Sequence, residues 1–168
     1  MCFLLLFLLI GALFCSNKLG FSLDFGTAQD PVFYKDSFQA TGDFRFSLTD
    51  GFELRLPLGF TKKESASLME ASVMLTYYPW DTGPFMGLSL FSVGFSNGSE
   101  TLENLINLNE VLVGWTFAFG HGLFLEPSLC IRDPSGTFSE EYSKIKGVFP
   151  CYTTFRFRLS FGWFFMEV

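Results

Sequence analysis

Beyond residue 16 this 168-residue chain has no apolar run near the ~20 residues that a membrane-spanning helix requires. It has a single histidine and four cysteines, two of them within the first 15 residues. That leaves too few soft ligands downstream for a zinc or iron–sulfur cluster. Lysine is missing from the polar positions of every alternating segment described below. A net charge of −6 leaves no basic surface for nucleic acid. No longer-period repeat or low-complexity tract divides the chain, so a single domain is expected.

What is present is hydrophobicity in alternation. Hydrophobic residues make up 49% of the chain and aromatics 19%, with 24 phenylalanines. In Phe155-Arg156-Phe157-Arg158-Leu159-Ser160-Phe161-Gly162-Trp163 the odd positions are large and apolar, the even ones small or charged. A period of two means a strand with one greasy and one polar face. All five arginines (Arg45, Arg55, Arg132, Arg156, Arg158) take the polar parity of such a segment. The six lysines fall before the first strand or in expected loops. A barrel with lipid outside and a small polar lumen sorts its cations in this way.

Eight strands are expected. The first, about Gly20 to Thr27, sends Phe21 and Leu23 outward and Ser22 and Asp24 inward. The second, about 38–48, places Phe44 and Phe46 against Asp43 and Arg45. Thr49-Asp50-Gly51 reads as a hairpin whose Asp-Gly suits positive φ. The third places Leu54 and Leu56 against Glu53 and Arg55, and the fourth Val73 and Leu75 against Glu70 and Ser72. In the fifth, Met86, Leu88 and Leu90 share one parity and Phe91, Val93 and Phe95 the other, so a bulge between them is expected. The sixth carries Val113 and Phe117 against Glu110 and Thr116; the seventh, Leu129 and Ile131 against Glu126 and Arg132; the eighth is the segment quoted above.

The links at 49–51, 79–84 and 120–122 are short. Those near 28–37, 61–67, 96–109 and 133–150 are longer and polar. Tyr77, Tyr78, Trp80, Trp163 and Phe165 fall near the short-turn end, where an aromatic girdle belongs; Trp115 reads as mid-strand. Past Asn97-Gly98-Ser99, a sequon read as ordinary loop sequence, two readings stay open. Leu102, Leu105 and Ile106 are spaced for a short amphipathic helix capped by Ser99, with Glu103 behind, or they extend the fifth and sixth strands outward.

This alternation, the turn–loop rhythm and the aromatic last strand resemble the small eight-stranded outer-membrane proteins of diderm bacteria. These include the outer-membrane protein X and W families, the opacity proteins and spirochaetal barrels. The resemblance covers about residues 20–168. It implies an all-β, eight-stranded antiparallel up-and-down transmembrane β-barrel in the bacterial outer membrane, its termini periplasmic. Such families usually end on an aromatic residue read by the barrel-assembly machinery; here Met166-Glu167-Val168 follow Phe165.

An eight-stranded lumen has room only for side chains, and buried charges must pair. Asp24, Asp43, Glu53, Glu70, Glu110 and Glu126 are therefore expected to form one network with Arg45, Arg55, Arg132, Arg156 and Arg158. Cys130 and Cys151 bracket the last loop, and a disulfide between them is chemically open. His121 sits between two glycines in an expected turn with no serine or carboxylate placed beside it, so it reads as a turn residue rather than a catalytic one. No enzyme activity, cofactor or metal is expected.

Phe3 to Phe14 has the length of a signal-peptide core. Residues 1–16 are expected to be a signal, cut after Cys15 or Ser16, with 17–168 as the barrel; lipidation of Cys15 is the lesser reading. The expected partners are outer-membrane lipid, the assembly machinery during biogenesis, and an extracellular ligand or host surface met through the loops by a monomer. Lys35, Lys62, Lys63, Lys144 and Lys146 are expected there, with Phe33, Tyr34, Phe138 and Tyr142. The alternative role is passage of small hydrophobic molecules across the outer membrane. A lipid-modifying enzyme is the third.

Overall fold

A computed structural model describes residues 18–25, 37–80, 82–98, 102 and 105–167. The expected signal segment 1–16 with Cys15, the expected loop residues Phe33, Tyr34 and Lys35, and Ser99 and Glu103 lie outside these. Among the described residues the chain is a closed antiparallel barrel. Its strands are β1 (Lys18–Asp24), β2 (Ser37–Thr49), β3 (Phe52–Lys63), β4 (Ala66–Tyr77), β5 (Gly83–Asn97), β6 (Leu105–Leu108), β7 (Glu110–Ala118), β8 (Leu123–Arg132) and β9 (Phe155–Glu167). β6 and β7 are two halves of one stave interrupted at Asn109, and both pair with β5. The barrel therefore has eight staves, closed by β1 on β9 and β4 on β5. Every stave pairs with its neighbours in sequence, and only β1 on β9 joins the two ends of the chain, as a closed up-and-down meander requires.

Alternation is what orients the faces. Asp43 and Arg45 are 1% exposed, while Phe44 between them is 44% exposed. Arg156 and Arg158 are buried, while Phe157 is 56% exposed. Val113 is half-buried on the outer face. Leu54 also takes outer parity but packs with Phe46 and Val73 on that face. Apolar residues are thus outside and charges inside, the reverse of a soluble barrel with an apolar core.

The expected bulge in β5 is present. Val73 pairs with Phe91 and Met74 with Ser89, which leaves Leu90 unpaired. One extra residue flips the parity, so the apolar residues on both sides of it face outward. The Ser89 hydroxyl accepts the Glu110 backbone N–H at 2.7 Å, pinning the opposite stave where it breaks. The hairpin at Asp50-Gly51 lies where expected, yet neither residue has positive φ. The ladder shifts register between Ser47 and Thr49 instead.

Three links differ from the expectation. The link at 61–67 is only Glu64-Ser65, with Glu64 at φ 51°. Lys62 and Lys63 therefore end β3, and Lys18 begins β1, rather than lying outside strands. Leu105 and Ile106 extend the staves, paired with Phe95 and Gly94, so no helix forms at 105–108. The 133–150 segment contains an unexpected helix, α1 (Ser139–Val148). Tyr78, assigned to the girdle, points inward and is 7% exposed. Trp115 pairs with Pro84 at the start of β5, near the turn end. It joins Tyr77, Trp80, Phe117, Phe119, Trp163 and Phe165, all exposed, around that end.

Candidate functional site: the lumen and its two ends

The middle of the barrel is filled by the eleven ionisable residues expected there. Glu126 on β8 is the hub. Arg45 on β2 donates to its two oxygens at 2.7 and 3.0 Å. Arg55 on β3 donates at 2.6 Å, and Thr116 on β7 at 2.9 Å. One carboxylate thus ties four staves across the lumen. Arg55 also holds Glu53 at 2.6 Å and donates to the Tyr78 hydroxyl at 2.5 Å. Asp43 binds Arg158 at 3.1 Å; Asp24 lies 3.3 Å from Arg156 and 3.4 Å from Arg158. Glu110 pairs with Arg132 at 3.0 Å. Glu70 instead accepts the hydroxyl of Tyr152, which enters from the last loop.

Long side chains need space that small neighbours provide. The Arg45 guanidinium lies 4.4 Å from the centre of the Phe124 ring, and Arg55 4.5 Å from that of Phe85. A Cβ at Gly162 would run into the Phe124 ring, and one at Gly114 would lie 2.7 Å from Phe85. Glycine at those two wall positions lets the rings lie across the lumen. Beside Glu70, Glu110 and the three arginines of β8 and β9 is a void of about 30 Å³. That is room for a water-sized group, not a channel.

The two ends differ. At the loop end the inner face turns apolar: Leu68, Ile106 and Leu108 meet Ile145 and Phe149, both 0% exposed, beneath α1. The helix is a lid. Its single buried residue within the helix, Ile145, and the following Phe149 fill the barrel mouth. At the turn end a vestibule of about 740 Å³ is open, lined by Glu53, Tyr78, Thr116, Phe124 and Phe164, with Lys18 and Asp50 also on its wall.

Cys130 and Cys151 do not form the disulfide that the sequence left open; both are buried thiols. Cys130 packs with Met74, Tyr78, Phe85 and Leu112 inside the barrel, whereas Cys151 packs in the lid cluster. The two sulfurs belong to separate apolar clusters. His121 has positive φ, 65°, in the turn Gly120–Gly122, and its carbonyl accepts the Trp163 indole N–H at 3.0 Å. Among the described residues no three His, Cys, Asp or Glu side chains converge as metal ligands.

The lid and its apolar floor were not anticipated. Leu68 shares parity with Glu70, and Ile106 and Leu108 with Glu110, so inward leucines near one end were the available signal. Several buried polar atoms have no hydrogen-bond partner among the described residues, and two such side chains meet at one inner site: Gln39, 1% exposed, has none for either amide atom, and its cross-strand neighbour Thr61 has none for its hydroxyl. Gln39→Met removes both orphan groups while keeping the volume. It is expected to raise stability by about 1 kcal/mol, read as a later urea unfolding midpoint. An earlier midpoint would mean the amide is satisfied in solution.

A comparison with known protein families, curated proteins and solved structures returns no match.

Proposed function

We propose that this barrel is an integral protein of a bacterial outer membrane, with its lumen sealed and its lidded loop end as the contact surface. One observation carries the reading. Large apolar side chains such as Leu88, Leu90, Phe95, Phe155 and Phe157 are more than half exposed around the outer wall, while every arginine is buried inside. An apolar band of this extent is far larger than a soluble monomer tolerates. Lipid covers such a band, and exposed Trp and Tyr at the turn end suit the interface with water.

The sealed lumen supports an anchoring or binding role over transport. The wall is hydrogen-bonded all the way round, ion pairs fill the middle, and α1 closes one end. Passage of a hydrophobic solute would need a gap in that wall or the lid displaced. With its outward-facing polar groups, the lid and its flanking loops present the varied surface that binding uses on rigid scaffolds.

Reconstitution tests both parts together. The urea-unfolded chain should refold on dilution into phosphatidylcholine vesicles, read as a heat-modifiable gel shift. In planar bilayers the folded protein should then pass no steady ion current. Failure to insert removes the membrane reading. Insertion with large, stable conductance keeps the membrane and removes the sealed lumen.

A further inference from the structure

A second cavity, of about 250 Å³, opens at the loop end between β8 and α1. It is lined by Arg132, Asp133, Ser139, Tyr142, Ser143, Lys146, Tyr152 and Thr154. We propose that it binds an oxyanion, a phosphate group or one of like size and charge. The inference deepens the reading of the loop end as a contact surface and rests on it only for the side from which the ligand arrives.

Arg132 is the main reason. It is 3% exposed, and its guanidinium lies 3.6 Å from the centre of the Tyr152 ring. Its Nε donates to Glu110 at 3.0 Å, and Nη1 reaches the Thr153 carbonyl only at 3.4 Å. Among the described residues its Nη2 has no recorded acceptor. A buried guanidinium presents five N–H donors in a fixed fork and favours two-point contact with an oxyanion. Here part of the fork is left over beside a cavity.

The other walls complete the donor set. Lys144 is engaged with Glu140 at 2.7 Å, but Lys146 lines the cavity and is in no ion pair among the described residues. The hydroxyls of Ser139, Ser143 and Thr154 likewise have no recorded hydrogen bond there. Glu140 and Glu141 share the first turn of α1 but do not line the cavity. Asp133 is the one acid on the wall, and its Oδ1 already accepts the Phe138 backbone N–H at 3.1 Å. Arg132 and Lys146 stand against Asp133 on the wall, and Glu110 on the Arg132 Nε balances the second cation. The N–H donors left on Arg132, the Lys146 ammonium and the free hydroxyls make a donor-rich lining that fits an oxyanion better than a cation or an apolar group. Tyr142 fixes the far wall: its hydroxyl donates to the Asn109 carbonyl at 2.7 Å and accepts the Asn109 N–H at 3.2 Å. The cavity is thus held open on a helix that is itself locked to the barrel.

Isothermal titration of the protein refolded in nonionic micelles tests this without a bilayer. Sodium phosphate and glycerol 3-phosphate are titrated separately at constant ionic strength. Saturable one-site binding is expected. Lys146→Gln should weaken it about fivefold, the scale of one partly exposed charge contact. Lys62→Gln, which removes an exposed charge elsewhere, should leave it unchanged, and Arg132→Lys should weaken it further than Lys146→Gln. Tighter binding of glycerol 3-phosphate assigns the site to a phosphate carried on a larger molecule; equal binding assigns it to the free anion. Absence of saturable binding by either probe overturns the proposal, as does an equal effect of Lys62→Gln and Lys146→Gln. Vesicle insertion is scored apart from this titration, so the membrane reading stands or falls on its own.

Discussion

Glu126→Leu should destabilise the barrel by about 3–5 kcal/mol, the cost of leaving a buried charge uncompensated. The reason is positional. The Glu126 carboxylate takes hydrogen bonds from Arg45, Arg55 and Thr116 and is 1% exposed. Without it, Arg45 keeps only Asp43 at 3.6 Å and Glu53 at 3.7 Å as counter-charges. Arg55 keeps Glu53. Two guanidiniums would be left sharing Glu53, with an apolar side chain where their closest common carboxylate stood. The network itself is weak evidence for net stability, because both signs lost their hydration on burial. The sign of a second variant follows from that: Arg45→Met added to Glu126→Leu should recover part of the loss. Urea unfolding of the vesicle-inserted protein reads both. A single variant as stable as the parent would mean that water or a shifted arginine replaces the carboxylate at no cost.

Leu88→Arg, or Val113→Arg, should cost about 2–4 kcal/mol in a bilayer if these positions lie near its midplane. Leu88 is 54% exposed and pairs with Leu75 on one side and Val111 on the other. On a soluble barrel the same exposed change would fall within about 0.5 kcal/mol and would improve solubility. The two environments therefore predict opposite results. Refolding into phosphatidylcholine vesicles should be impaired for the variant while refolding in detergent micelles is nearly normal. Insertion at the parental yield would argue against lipid on this face.

Much of the barrel was legible because a strand's period is two and its register is unforgiving. A one-residue slip exchanges the faces, so Arg45, Arg55, Arg156 and Arg158 could only share the inside if every strand kept its parity. Even the fault in β5 was readable, since Leu88 and Leu90 disagree in parity with Phe91 and Val93. The lid was not. Ile145 and Phe149 lie in a charged loop segment, and nothing local distinguishes a helix over the mouth from a solvated loop. Its helix gains stability from packing on Leu68, Ile106 and Leu108, which are distant in sequence. Helices this short depend on such tertiary contact. Tyr78 was misplaced for a similar reason: its girdle position is apparent from sequence, but its inward turn depends on Arg55 and Phe85 being there to receive it.

The division follows from the range of the interactions. Alternation, turns and the bulge are local properties of the chain, and they determine an all-β meander with charges on one face. Which acid meets which arginine depends on stagger and on pairs such as Arg45–Glu126, 81 residues apart, and Arg156–Asp24, 132 apart, which no periodicity encodes. Cys130 and Cys151 illustrate the limit. They bracket one loop, which suggests a bridge. The fold instead sends one thiol into the barrel and the other under the lid, because each finds an apolar cluster on its own side. The cavity beside Arg132 likewise exists only once α1 is docked by Tyr142 and Tyr152, since its walls come from segments that only packing brings together.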